Sequence, residues 1–350
     1  MDIGMDCLLL HVPKFRHRYG PFGPAMFINS MAAGLLSIAS EVERSGYRVE
    51  LLHLGVERIA DPRFDLSAHL KCSQPTVVGL SLNWHHQAPD TMDAAEIVRE
   101  TLPDAFVVLG GHTASSFARE ILENHPQVDA VIKGEGEAPM VRLVKAMDGG
   151  SPLSEVPNLW WRDGGEIVEN QARWCAGGDE LSTFSFADFS SLSNADKYPH
   201  LFPFMFPPER RFLNRLLFDM KSTAAFALPL GRGCMNNCAW CGGGAHATRK
   251  LYGRKKIDCI APEAAVEHME RAMQFGYTGV STDFNGPGVE KVVYEILARC
   301  RRKGFKPRWA MDTWMLPSKD FVDDFAATVA PGASLQFSPD FAVEDMRERY

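Results

Sequence analysis

Gly231-Arg232-Gly233-Cys234-Met235-Asn236-Asn237-Cys238-Ala239-Trp240-Cys241-Gly242-Gly243-Gly244 decides how this chain is read. Its cysteines are spaced C-x3-C-x2-C, directly after a strand-like run from Ala225 to Leu230. Three thiolates on one short loop can face one metal centre, and such soft ligands suit iron–sulfur clusters or zinc. Structural zinc closes with a fourth Cys or His. His246, five positions on, is the one nearby residue that would close it. A cluster with three protein ligands would instead leave one iron open to a small molecule. The glycines let backbone approach a ligand closely. The other five cysteines (Cys7, Cys72, Cys175, Cys259, Cys300) are scattered. In a chain whose start, Met1 to Asp6, lacks a secretory signal, this pattern favours metal binding over disulfides.

Arg232-Gly233-Cys234, and Cys238-Ala239-Trp240-Cys241 with an aromatic before the last cysteine, resemble the radical S-adenosylmethionine (SAM) superfamily. The resemblance implies a 4Fe–4S cluster held by Cys234, Cys238 and Cys241, with the fourth iron chelating SAM. One electron then yields a 5′-deoxyadenosyl radical that takes hydrogen from a substrate. It also places Trp240, Gly242, Gly243, Asp283 and Ser338 against SAM. Asn285, Pro339 and Asp340 share the same strand ends, and a solvated turn explains these ends as well.

Downstream, strand-like segments at 278–284, 307–312 and 334–338 alternate with helical ones at 262–275, 289–303 and 318–328. Pro262 opens the first helix, where its missing N–H costs little. Upstream, 8–12, 47–54, 76–82, 105–109 and 129–133 read as strands. Helices are expected over 29–44, 91–101, 115–124 and 138–147. Strands apolar on both faces and separated by helices indicate a parallel sheet covered on both sides.

Such a sheet binds ligands at the C-terminal ends of its strands. Those ends carry Ser81-Leu82-Asn83-Trp84-His85-His86, Gly110-Gly111-His112-Thr113 and Gly134-Glu135-Gly136-Glu137. No Gly-x-Gly-x-x-Gly opens the first helix, so a dinucleotide fingerprint is missing. Val78-Gly79-Leu80-Ser81, Leu109-Gly110-Gly111-His112 and Val128 to Glu137 resemble the cobalamin-binding domain of class B, cobalamin-dependent radical SAM enzymes. The resemblance implies cobalamin contacts at Ser81, Asn83, Trp84, Gly110, Gly111, His112, Thr113, Gly134, Glu135 and Gly136. Gly110 and Gly111 would leave room for the nucleotide tail, and Ser81 and Thr113 would donate to it.

One departure concerns the cobalt ligand. Histidine-on domains carry D-x-H-x-x-G after the first strand; here Phe15-x-His17-x-x-Gly20 lacks the Asp that orients the imidazole. Arg16 and Arg18 beside His17 suit a solvated or phosphate-facing loop. Trp84 is placed to cap the lower cobalt face, with His85 and His86 as rivals or as a surface pair. His11 and His53 are expected to be core or rim residues. Glu135 and Glu137 are expected to touch cofactor or to start a helix, where carboxylates favour the dipole.

Between the two halves, Leu159-Trp160-Trp161-Arg162, Asp163-Gly164-Gly165 and Glu166 to Glu169 read as a hairpin. Phenylalanines 184, 186, 189, 202, 204, 206 and 212 follow, more aromatic surface than a flexible linker carries. They are expected to form a strap packed into both domains rather than a lid.

The expected fold is therefore α/β. A doubly wound, Rossmann-like cobalamin-binding domain spans 1–149, a hairpin and aromatic strap 150–224, and an incomplete TIM-like (β/α) radical SAM barrel 225–350. A full eightfold barrel takes about 250 residues. Only 109 residues follow Cys241 and about four barrel strands are counted, so a partial sequence is expected. Net charge is −7, so no nucleic-acid partner is expected. No apolar run reaches membrane-spanning length. The expected protein is cytoplasmic, oxygen-sensitive and served by an electron donor such as flavodoxin or ferredoxin. Its chemistry would be methyl transfer from methylcobalamin to an unactivated carbon of a small molecule or peptide. Other radical chemistry, such as cyclisation, is a first alternative and would show no mass gain of one CH2. A non-catalytic cobalamin-binding or sensing module is a second and would form no 5′-deoxyadenosine.

Overall fold

The computed structural model describes residues 4–14, 31–200, 224–238, 241, 243–285, 289–313 and 316–337, except the side chains of 283–285. The chain divides into two compact units. The first comprises Met1–Ala176, Asp188–Ser222 and Lys250–Gly253; the second comprises Gly177–Ala187, Thr223–Arg249 and Arg254–Tyr350.

The first unit is built on β1 (Cys7–His11), β2 (Val49–His53), β3 (Val77–Ser81), β4 (Phe106–Gly110), β5 (Ala130–Ile132), β6 (Leu159–Asp163) and β7 (Glu166–Glu169). They form one sheet in the order β2-β1-β3-β4-β5-β6-β7. β1 to β5 are parallel, whereas β6 and β7 are antiparallel. Every residue of β1, β3 and β5 is buried, as strands covered on both faces require. Leu8, Leu10, Leu52, Val78, Leu80, Val107 and Leu109 form the centre of a continuous core. Each such fully buried aliphatic stabilises the fold by about 1.5–3 kcal/mol.

Several elements differ from the sequence expectation. β2 stops at His53 because a helix, Leu54–Ala60, starts at once, its Gly55 N–H donating to His53 Nδ1 at 3.1 Å. A second unforeseen helix, Leu66–Ser73, is capped by Asp65, which accepts from Ala68 N–H at 3.0 Å. The helix expected from Thr91 begins at Ala88, with Pro89 in its first turn. The helix expected over 115–124 is two, His112–Ser116 and Ala118–Asn124, parted at Phe117. The hairpin does not stand in a separate strap: Ala130, Val131 and Ile132 of β5 pair with Trp161, Trp160 and Leu159 of β6, so it extends the first unit's sheet.

The second unit holds β8 (Ala225–Ala227), β9 (Gly231–Arg232), β10 (Asp258–Cys259), β11 (Gly279–Asn285), β12 (Trp309–Thr313) and β13 (Ser334–Phe337). β8, β11, β12 and β13 neighbour one another in chain order and run parallel. Helices Pro262–Phe275, Glu290–Lys303 and Lys319–Thr328 connect them. Successive parallel strands side by side, each followed by a helix, are the repeat of a βα barrel. Trp309 anchors the interior; it is fully buried and its Nε1–H donates to Thr282 Oγ1 at 2.8 Å. The strand expected over 225–230 is cut short at Ala227, before Pro229, which cannot donate to a ladder.

Of the strap phenylalanines, Phe184 and Phe186 are buried in the second unit and Phe189 in the first. Phe202, Phe204, Phe206 and Phe212 lie outside the described residues. Alongside β2, Leu51 N–H donates to Ser191 O at 2.8 Å and Ser193 N–H to Leu51 O at 2.9 Å. No helix among the described residues is long and apolar enough to cross a membrane.

Candidate functional site

The first sheet reverses its winding between β1 and β3, and ligands of such sheets bind outside the strand ends at that point. β1 ends in His11 and β3 in Ser81, both buried, with His11 Nδ1 and Ser81 Oγ 2.9 Å apart. Burial without a compensating charge lowers the His11 pKa to about 4, so its ring is neutral at ordinary pH. The His53 ring, at the end of β2, lies 4.6 Å from that of His11. Gln87 ties the β1 and β3 loops together: its Nε2 donates to Val12 O at 3.0 Å, while its Oε1 accepts from Trp84 N–H at 3.0 Å.

Trp84 is 55% exposed and stacks on His86 at 6.3 Å between ring centres. Desolvation, then Lys14 and His85, lower the His86 pKa. In the loop after β4 the two glycines do different work. A side chain at Gly110 would meet nothing within 4 Å. Gly111 has φ +107°, and a Cβ there would lie 2.6 Å from Asn83 Oδ1 and 2.8 Å from Leu82 O. It lets the β3 and β4 loops touch. Asn83 Oδ1 also accepts from His112 N–H at 3.4 Å, and Thr113 Oγ1 donates to Asn83 O at 2.9 Å. The hydroxyls expected to donate to cofactor, Ser81 and Thr113, are thus already engaged in shaping the edge.

After β5, Gly134 takes φ +114° and packs against Tyr252, and its N–H donates to Ser115 Oγ at 3.0 Å. Gly136 faces Ile38, where a Cβ would lie 2.8 Å from Cδ1. Glu135 holds the chain at 175–176, its Oε2 accepting from Ala176 N–H at 3.2 Å. Glu137 opens its helix, as expected, and accepts from Ser37 Oγ at 2.7 Å. The Tyr252 hydroxyl bonds His112 Nδ1. Desolvation, with Glu135 near, keeps that phenol protonated far above its usual range, and desolvation lowers the His112 pKa. His11 and His53, expected as core or rim residues, are buried at the ends of their strands. Gln87 and Tyr252 were not foreseen at this edge, and Tyr252 is brought in by tertiary contact.

In the second unit the cysteine loop is held at both ends. β9 pairs antiparallel with β10. Gly233 has φ +106°, and a Cβ there would lie 2.7 Å from Lys256 O, so only glycine permits this approach. Buried Arg254 pairs with Asp258. Arg232 lies over the Phe184 and Phe186 rings at 6.0 and 5.8 Å. On the far side the helix Ala245–Tyr252 is started by the loop itself: Ala245 N–H donates to Asn236 O and His246 N–H to Asn237 Oδ1, both at 2.8 Å.

The three cysteines form no disulfide and are neither buried nor fully exposed. Cys234 Sγ accepts from Asn236 N–H and Cys241 Sγ from Gly243 N–H, each at 3.4 Å. Backbone N–H groups aimed at sulfur suit a thiolate and tune an iron–sulfur cluster. Among the described residues no three His, Cys, Asp or Glu side chains are gathered so as to hold a metal ion, so neither the thiol triad nor a closure by His246 is drawn together. The donor chemistry fits a cluster: three accessible soft ligands on a loop with fixed ends. Of the expected SAM contacts, Gly243 follows Cys241 in this loop and Asp283 lies in β11. Trp240, Gly242, Ser338, Pro339, Asp340 and the side chains of Asp283 and Asn285 lie outside the described residues, as do Phe15, Arg16, His17, Arg18 and Gly20.

The profile of the B12 binding domain matches residues 30–144. The hopanoid C-3 methylase of Methylococcus capsulatus is 32% identical over 135 residues, which is 38% of this chain and 25% of that protein. The cytidylyl-2-hydroxyethylphosphonate methyltransferase of Streptomyces wedmorensis is 25% identical over 251 residues, 63% of this chain and 45% of that protein. The anaerobic magnesium-protoporphyrin IX monomethyl ester cyclase of Synechocystis is 29% identical over 136 residues, 39% and 27% of the two chains. The chain thus spans from about a quarter to under half of these relatives. The radical SAM methyltransferase TsrM of Kitasatospora setae, solved with cobalamin and a 4Fe–4S cluster, superposes with TM-score 0.66 at 15% identity, over 97% of this chain and 62% of that one. The cobalamin-dependent SAM radical enzyme OxsB superposes with TM-score 0.61 at 16% identity, over 98% and 45%. At these identities the likeness is one of fold.

Proposed function

From the premise that this chain carries a B12-binding domain and has the fold of the class B, cobalamin-dependent radical SAM proteins, we propose that it transfers a methyl group to an unactivated carbon. The observation that carries the reading is the pairing of two sites in one chain. One is a doubly wound sheet whose switch point is lined by His11, Ser81 and Gly110. The other is a cysteine loop that leads from the first strand of a parallel βα sheet into a helix. When bound, the cluster with SAM supplies a carbon radical that takes hydrogen, and the corrinoid supplies the methyl group. Cys234, Cys238 and Cys241 hold the cluster. The Asn236 and Gly243 N–H groups stabilise negative charge on two of the sulfurs. Gly110 leaves the corrinoid space, and the His11–Ser81 pair fixes the floor of its crevice. The substrate is a small molecule or a peptide. A low-potential carrier such as flavodoxin or ferredoxin supplies electrons in the cytoplasm.

Anaerobic reconstitution with iron and sulfide tests the cluster. Wild type should gain iron–sulfur absorbance and release 5′-deoxyadenosine with a strong reductant. Cys234→Ala, Cys238→Ala and Cys241→Ala should each lose both while keeping their circular dichroism. Failure of the wild type to bind iron would refute the reading, as would refusal of added corrinoid. The relatives named as cyclases support a second reaction on the same scaffold. Product mass separates the two, since only methylation adds one CH2.

A further inference from the structure

From Cys234 to Ile257 the chain has no acidic residue and five cations, Arg249, Lys250, Arg254, Lys255 and Lys256, in a protein of net charge −7. Such a run is ordinarily a solvated face, so its partners decide what it is. Arg254 is buried against Asp258 and serves the loop. Lys256 touches Asp258 at 3.2 Å, yet its side chain remains 77% exposed. Arg249 and Lys255 are exposed and have no ion pair among the described residues. The acids packed nearest along this hairpin are Asp258 and, on the short helix Gly178–Leu181 against β10, Asp179 and Glu180.

The other basic run, Arg299 to Arg308, is partly paired within the protein, while its Arg302 and Lys306 are exposed with no ion pair among the described residues. Arg299 pairs with Glu263, Arg301 with Asp324 and Lys303 with Glu270, and Arg308 donates to Gly332 O. Both runs leave cations uncommitted, but the first is attached to the cysteine loop at two points. The Lys256 carbonyl lies against Gly233, next to Cys234, and Arg249 stands on the helix that Asn236 and Asn237 start.

We infer that Arg249, Lys255 and Lys256 form a docking surface for an acidic, one-electron carrier protein that reduces the cluster. The inference rests on the proposed function above. One electron leaves the reduced carrier and enters the oxidised cluster; no bond forms or breaks and no proton moves. Complementary charge raises the rate of encounter and orients the carrier, and salt weakens it. A polyanion such as RNA would be drawn by the same charges. A carrier is favoured because the cations border the redox-active loop.

The reconstituted protein is titrated with purified flavodoxin at low and at 0.5 M salt. Arg249→Glu/Lys255→Glu should weaken binding roughly tenfold or more at low salt and flatten the salt dependence. Arg302→Glu, a charge reversal at an exposed, unpaired cation of the other run, should alter binding less than about twofold. Lys256 is left in place in this variant because it touches Asp258. Lys255→Gln alone should give a smaller loss in the same direction. The proposal is overturned if the double variant binds as wild type does, if Arg302→Glu weakens binding equally, or if single-stranded RNA binds more tightly than flavodoxin through the same residues. With dithionite the double variant should form 5′-deoxyadenosine at the wild-type rate, and with reduced flavodoxin at a tenth of it or less. Absence of 5′-deoxyadenosine from wild type under dithionite would defeat the proposed function, while the binding comparison would still decide the surface.

Discussion

At the scale of single residues, two histidines tie stability to acid. His11 in the first unit and His268 in the second each have their pKa lowered by burial to about 4. The unfolded chain takes up a proton near pH 6.5 at each position. Stability is therefore complete above about pH 6.5 and falls as the pH drops towards 4, by up to about 3 kcal/mol for His11. Urea midpoints at pH 7.5 and 5 should show this loss, and His11→Gln should flatten it. The neighbouring glycines offer a sharper contrast. Gly111→Ala forces a left-handed backbone and a clash with Asn83, and should cost about 1–3 kcal/mol with or without ligand. Gly110→Leu projects into open space, so its thermal midpoint should stay near wild type while retained corrinoid falls.

At the scale of elements, the cysteine loop depends on a few long-range anchors. Asn237 caps the helix Ala245–Tyr252, and Asn237→Ala should cost about 1 kcal/mol. Arg254→Ala leaves the buried Asp258 carboxylate with Lys256 alone, so the cost stays below the about 3–5 kcal/mol of a wholly unpaired buried ion. Reconstituted cluster content should therefore fall although no cysteine has changed. The elements that were legible in the sequence are those with strong local patterns. Leu8 to Val12 and Thr76 to Leu82 are apolar throughout, and Pro262 marks a helix start. The helix Leu54–Ala60 was not legible because it follows β2 with no loop and is capped by a histidine ring. β9 and β10 have two residues each and exist because Gly231 and Gly233 let backbones meet, a contact that no local pattern announces.

At the scale of the whole molecule, both halves of the fold class were legible, because alternating buried strands and amphipathic helices carry their own period. The hairpin was read correctly as a hairpin, but its attachment to β5 is a tertiary choice between sheet edges. Of the site, the cysteine spacing was plain in the sequence. The crevice wall was not, since Gln87 reaches Val12 and Tyr252 reaches His112 only in the folded chain. Corrinoid that binds only the folded first unit should raise its unfolding free energy by about 2.7 kcal/mol at a hundred times its Kd. Thermal scans over a corrinoid series check this, and a midpoint indifferent to corrinoid would count against the site.

The flanks of the seven-stranded sheet bear on self-association. A strand with unpaired N–H and C=O groups invites a second copy to add to it. At one flank Ser191 to Ser193 already occupies the backbone of Leu51 in β2. At the other, the outermost strand is not apolar β5 but β7, bounded by Glu166 and Glu169, whose like charges repel an identical neighbour. The hairpin and the Ser191–Ser193 stretch therefore act as bumpers against strand-by-strand polymerisation through this sheet.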